Sequence, residues 1–174
     1  MASLDVYYWD ACLFYEHCKA DQPDPYKAQA LEELLEQNRE RRNRICTSVI
    51  THAEVVPAKL GGDLEQKYWD CFGSTFFFDI EADRSTILLA RKIRDYYFKP
   101  QDDPAGYRLM STGDAVHLAT AILAGVTEFH TRDGKRKGGN VPLIGLDTTS
   151  PGGQICGEYD LKIVDPIAKQ LRFV

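Results

Sequence analysis

The chain has 174 residues, 44% hydrophobic and 27% charged, the balance of one globular domain rather than a disordered or fibrous chain. No apolar run approaches the ~20 residues that span a bilayer, and the N-terminal MASLDVYYWD lacks the basic and apolar regions of a signal peptide, so a cytoplasmic protein without a membrane span is expected. Five cysteines with no C-x-x-C pair argue against a disulfide framework or a zinc ribbon, and the net charge of −5 argues against a broadly basic nucleic-acid-binding surface. Four acids gathered around cations would account for most of that negative excess, and net charge does not describe a local face.

Strands and helices alternate along the chain, which predicts an α/β domain with a mainly parallel sheet. Val6 to Trp9 is a short aromatic and β-branched strand, followed by a helix from Ala11 to about Lys19. Pro23, between Asp21 and Asp24, marks a break, and Pro25 suits the first turn of a helix running to about Asn43, with Ala28, Leu31, Leu34 and Leu35 on one face. Arg44 to Ile50 reads as the second strand, and Thr51-His52-Ala53-Glu54 has the capping-box form that opens a helix. Phe76 to Ile80 is a third strand. Asp83 can cap the next helix, in which Ile87, Leu88, Arg91 and Tyr97 alternate core and surface roles. Lys99 to Tyr107 reads as loop. Ser111-Thr112-Gly113-Asp114 starts a helix that is apolar around most of its circumference and ends near Gly125, the pattern of a central buried helix. Val126 to Thr131 and Val141 to Leu146 are the remaining predicted strands, and residues 147–174 read as a turn-rich extension.

Four acids fall at strand-to-helix junctions: Asp10 after the first strand, Glu54 after the second, Asp114 in the first turn of the buried helix, and Asp133 after the strand ending at Thr131. In an open parallel sheet these junctions share one edge, where ligands bind. Each acid alone has a plainer reading as a helix cap, a first-turn acid favoured by the helix dipole, or a turn residue. Together on one edge they would repel by roughly 4 kcal/mol per pair at ~4 Å unless a cation joined them, and hard oxygen ligands select Mg²⁺ or Mn²⁺. Such a site suits phosphodiester hydrolysis by water, without a covalent intermediate.

The stretches VYYWDACLF, SVITHAEVV and STGDAVHLATAILAGVTEFHTRD resemble a PIN domain over roughly residues 4 to 146, with Asp114 to Asp133 the most specific part. The resemblance implies a three-layer α/β/α sandwich around a mainly parallel sheet. It implies divalent-metal-dependent RNA cleavage with Asp10, Glu54, Asp114 and Asp133 as catalytic metal ligands, and Thr131 orienting a water or ligand beside them. It also implies the partners of many small family members: an RNA substrate, an antitoxin protein for VapC-type toxins, and a second copy in a homodimer. Two departures bear on this. The family commonly carries Ser or Thr just after the first Asp, where this chain has Ala11 and Cys12, which leaves open an alternative as a metal- or RNA-binding regulatory module with weak or lost turnover. The chain is also longer than a minimal toxin.

Among other groups, Arg132, Lys135, Arg136 and Lys137 could grip RNA phosphates beside Asp133 or simply form a solvated loop. The cluster Arg39, Arg41, Arg42 and Arg44 has Glu32, Glu33, Glu36 and Glu40 as helix ion partners. The four histidines show no paired ligand spacing, so His117, one turn after Asp114, reads as a hydrogen-bonded structural residue. Cys12 reads as a buried helix cysteine with no base partner. An aspartyl-phosphate mechanism at Asp10 would want a second Asp where Cys12 stands.

Overall fold

The first strand sets the frame for everything that follows. In the computed structural model, which describes residues 4–19, 24–104, 106–135 and 139–167, β1 (Asp5–Trp9) runs through the middle of a five-stranded sheet. Its alternating side chains are buried on both faces, with Tyr8 and Trp9 fully enclosed, as a strand covered by helices on each side requires. Helix α1 (Ala11–Cys18) leads toward α2 (Pro25–Arg39), whose first backbone N–H groups are capped by the Asp24 carboxylate. The helix stops short of the expected Asn43. Arg41 takes a left-handed conformation at φ 59, and Arg42 N–H closes the end on Gln37 O, freeing Asn43 to begin β2 (Asn43–Ser48).

After β2 the chain forms three short helices, α3 (Thr51–Glu54), α4 (Pro57–Leu60) and α5 (Gly62–Asp70), before β3 (Phe77–Ile80). The expected capping box at Thr51 does not form. Thr51 lies inside the helix, and its hydroxyl is hydrogen-bonded to that of Thr47 at 2.6 Å. Asp83 does cap α6 (Arg84–Tyr97), accepting from Thr86 N–H at 2.9 Å. The buried face of α6 is Thr86, Leu89, Ala90 and Ile93; Ile87 and Leu88 both point outward. Ser111 caps α7 (Thr112–Ala124), which ends on a left-handed Gly125, and Ala115 through Ala121 are buried without a break.

Strand β4 (Glu128–His130) follows. The expected strand at Val141–Leu146 is absent: Pro142 interrupts it, Gly145 turns at φ 94, and α8 (Leu146–Thr149) begins there. Instead the residues read as an extension supply β5 (Ile163–Val164), which pairs with β4. All strand pairs are parallel, in the order β3-β2-β1-β4-β5. One face carries Tyr8, Cys46 and Phe129 against α6 and α7; the other carries Trp9, Ile45 and Phe77 against α1, α2 and α5. The result is the expected three-layer α/β/α sandwich. Because the chain builds β2 and β3 on one side of β1 and then crosses to β4, the carboxyl end of β1 is the switch point at which a crevice opens. Among the described residues, no helix is long and apolar enough to cross a membrane.

Candidate metal centre

At that switch point a cleft of about 1050 Å³ is lined by all four acids expected from the sequence, Asp10, Glu54, Asp114 and Asp133. Asp10 stands directly after β1 and is 6% exposed; its backbone N–H continues the ladder to His130 O. Thr131, wholly buried, donates from its hydroxyl to Asp10 Oδ2 at 2.7 Å and accepts from Asp133 N–H at 3.0 Å. Thr131 therefore fixes two of the acids directly. The Cys12 sulfur fills the place where a hydroxyl was expected to be missing: its thiol donates to Asp10 Oδ2 at 3.3 Å, and it accepts from Arg132 N–H. Burial, reinforced by the Asp10 charge, pushes the Cys12 thiol far up, so it stays protonated as a donor.

His117 was expected to be a hydrogen-bonded structural residue. It is hydrogen-bonded, and those bonds place it in the centre. Its Nε2 lies 2.7 Å from Glu54 Oε2 and 3.7 Å from Asp10 Oδ1, while Nδ1 is bonded to the buried Tyr8 hydroxyl at 2.7 Å. Burial alone would lower its pKa, but the hydrogen bond to Glu54 and the charges of Asp10, Glu54 and Asp114 raise it overall. One ligand atom each from Asp10, Glu54 and His117 lie within 4.8 Å of one another. Ligands across a metal with ~2.1 Å bonds are ~4.2 Å apart, so the donor set is nearly closed to coordinating distance. A buried Asp/Glu/His cluster of this kind can hold a metal ion.

Gly113 makes the arrangement possible. A Cβ there would sit 2.1 Å from Glu54 Oε1, so the Glu54 carboxylate occupies the space a side chain would need. Asp114, beside it, is pushed up to about 6, chiefly by burial and then by the charges of Asp10 and Asp133, against the lowering hydrogen bond from Ser111. Asp114 and Asp133 line the cleft but stand outside the tight three-residue group.

The basic residues divide. Arg132 spends its guanidinium within the fold, on Glu16 of α1, on Asp165 just beyond β5, and on the carbonyls of Lys27 and Pro166. Asp165 also accepts from Lys27 Nζ at 2.7 Å. Lys135 and Lys59 line the cleft, whereas Arg136 and Lys137 lie outside the described residues. Sequence reasoning missed Gly113, Tyr8 and the Glu16–Arg132–Asp165 group. For His117 a signal existed, since three residues after Asp114 on a helix is the same face. Neither family models nor curated proteins give a match to this chain, so the residues around this cleft are what the chemistry has to be argued from.

Proposed function

We propose that this protein is a divalent-metal-dependent endoribonuclease with a PIN-like fold, hydrolysing RNA phosphodiester bonds. The observation that carries the reading is the convergence of Asp10, Glu54, Asp114 and Asp133, from four separate stretches of chain, on one cleft at the carboxyl edge of the sheet. When bound, Mg²⁺ or Mn²⁺ would neutralise these carboxylates, acidify water and stabilise charge building on a phosphate oxygen. The residues suit that role: Thr131 and Cys12 hold Asp10, and Gly113 makes room for Glu54. In hydrolysis the water oxygen bonds to phosphorus as the bond to the leaving ribose oxygen breaks, so one proton is lost and one gained. Burial and the charges of Asp10 and Asp133 hold the Asp114 carboxyl up at about 6 without a cation, and a bound ion would favour its ionised form. Lys59 and Lys135, on the cleft wall, supply cations for the flanking phosphates.

A toxin paired with an antitoxin, and a homodimer, belong to this reading as further proposals. The alternative, a metal- and RNA-binding module without turnover, rests on Ala11 and Cys12; the hydrogen bonds of the Cys12 sulfur weaken it, because Asp10 is supported after all. The test is incubation of generic RNA with protein and Mn²⁺. Cleavage by the wild type, lost in Asp114→Asn with an unchanged circular-dichroism spectrum, supports the nuclease. RNA retained without any metal-dependent cleavage replaces it by the alternative.

A further inference from the structure

We infer that the centre is a mixed imidazole–carboxylate site that prefers a first-row transition ion (Mn²⁺, and more strongly Co²⁺ or Zn²⁺) over Mg²⁺, with His117 as a ligand. The inference rests on the metal centre of the proposed nuclease and goes further, to the ligand that selects the metal. Acids alone would make a hard-oxygen site with little discrimination against Mg²⁺. An imidazole nitrogen changes that, because it suits Zn²⁺, Cu²⁺, Fe²⁺ and Ni²⁺, while Mg²⁺ prefers carboxylate and water oxygens and sheds its waters reluctantly.

Three features aim the His117 nitrogen into the group. The ring is almost completely buried, on a helix packed against the sheet, so it cannot swing out to solvent. Tyr8, on the central strand and equally buried, bonds Nδ1 at 2.7 Å, edge-on to the ring at 71°. A metal would take the place of the Nε2 proton that Glu54 accepts; Nδ1–H then donates to the Tyr8 oxygen and the Nε2 lone pair lies between Glu54 and Asp10, the outer-shell arrangement that fixes the tautomer of metal-bound histidines. Gly113 independently reserves the space for the Glu54 carboxylate opposite that nitrogen. None of these features is needed by a merely solvated acidic edge.

The experiment is metal titration of the intact protein without RNA, read by calorimetry, by the loss of free Mn²⁺ signal in electron paramagnetic resonance, and by the visible spectrum of Co²⁺. Wild type is expected to bind Mn²⁺, Co²⁺ and Zn²⁺ more tightly than Mg²⁺. His117→Gln should weaken these three by at least about tenfold, and Tyr8→Phe by ~10–100-fold, as loss of an outer-shell partner does, with Mg²⁺ binding changed little in either. The Co²⁺ spectrum should shift in His117→Gln through loss of a nitrogen ligand. Tyr8→Phe keeps the buried ring and guards against an unfolded His117 variant. Equal affinity of the wild type for Mg²⁺ and Mn²⁺, unaltered in both variants, overturns the imidazole ligand and leaves the carboxylate nuclease standing. No divalent binding to the wild type overturns both.

Discussion

Asp114→Asn offers the sharpest test because it separates the cost of the site from its use. Held at about 6 against an ordinary value of 3.8, the Asp114 carboxyl binds its proton more tightly in the folded chain than in the unfolded one. The linkage therefore runs against folding as pH rises: ionising Asp114 costs nothing below about 3.8, and the full cost is present above about 6. The gap corresponds to about 3 kcal/mol at 1.36 kcal/mol per tenfold, and partial exposure reduces it to about 2 kcal/mol. Asparagine keeps the shape and removes the charge. In chelator at pH 8, Asp114→Asn should melt about 4–8 °C above the wild type for a chain of this length. That advantage should shrink by more than half at pH 4.5. Added Mn²⁺ should reverse the order, since an ion at a hundred times its dissociation constant stabilises the wild type by ~2.7 kcal/mol. Thermal melts by circular dichroism at the two pH values, with chelator and with Mn²⁺, give all four quantities. A variant no more stable than wild type at pH 8, or a difference indifferent to pH, would refute the raised Asp114 carboxyl that burial and the neighbouring acids produce.

Gly113→Ala should keep the fold but push Glu54 aside, lowering divalent affinity by at least about tenfold in calorimetry; unchanged binding would show that Glu54 is no ligand. Arg132→Met should lower stability in urea by about 2 kcal/mol by removing the guanidinium that the part-buried Glu16 and Asp165 share, with Lys27 still on Asp165, and Arg132→Lys should rescue little, lacking the fork. A loss of RNA affinity with stability intact would instead assign Arg132 to the substrate. Lys135→Ala should weaken RNA binding at all sequences and reduce the salt slope by about 1, with cleavage at saturating RNA little changed. An unaltered slope in filter binding would place the RNA elsewhere.

How much of this the sequence discloses depends on how local the determinant is. Asp10, Glu54 and Asp133 are legible because a parallel sheet puts every strand's carboxyl end on one edge, and Asp114 because it stands in the first turn of a helix marked by its Ser111 cap. The caps at Asp83 and Ser111 are legible for the same reason, since a cap acts within three residues. Thr51 is the instructive failure: its pattern fits a cap, yet a neighbouring Thr47 hydroxyl on β2 captures it. The strand expected at Val141 and the one found at Ile163 show the limit of apolar runs, for two paired residues leave no periodicity, while Pro142 and Gly145 break a run that composition favours. Arg132 was ambiguous because its partners, Glu16 and Asp165, are distant in the chain and carry no motif.

The placement of β5 beside β4 has a consequence for the order in which the chain becomes competent. A ribosome that has made residues through Asp133 has already supplied Asp10, Glu54, Asp114 and Asp133, but not Asp165, the fifth acid of the cleft wall, which pairs with Arg132. Until that later stretch emerges, β4 carries an open sheet edge and Arg132 has Glu16 as its acidic partner without Asp165. Synthesis thus delivers the four carboxylates and the residues that hold them before the last strand, so the wall of the cleft beside Arg132 is completed only by the final stretch of sheet.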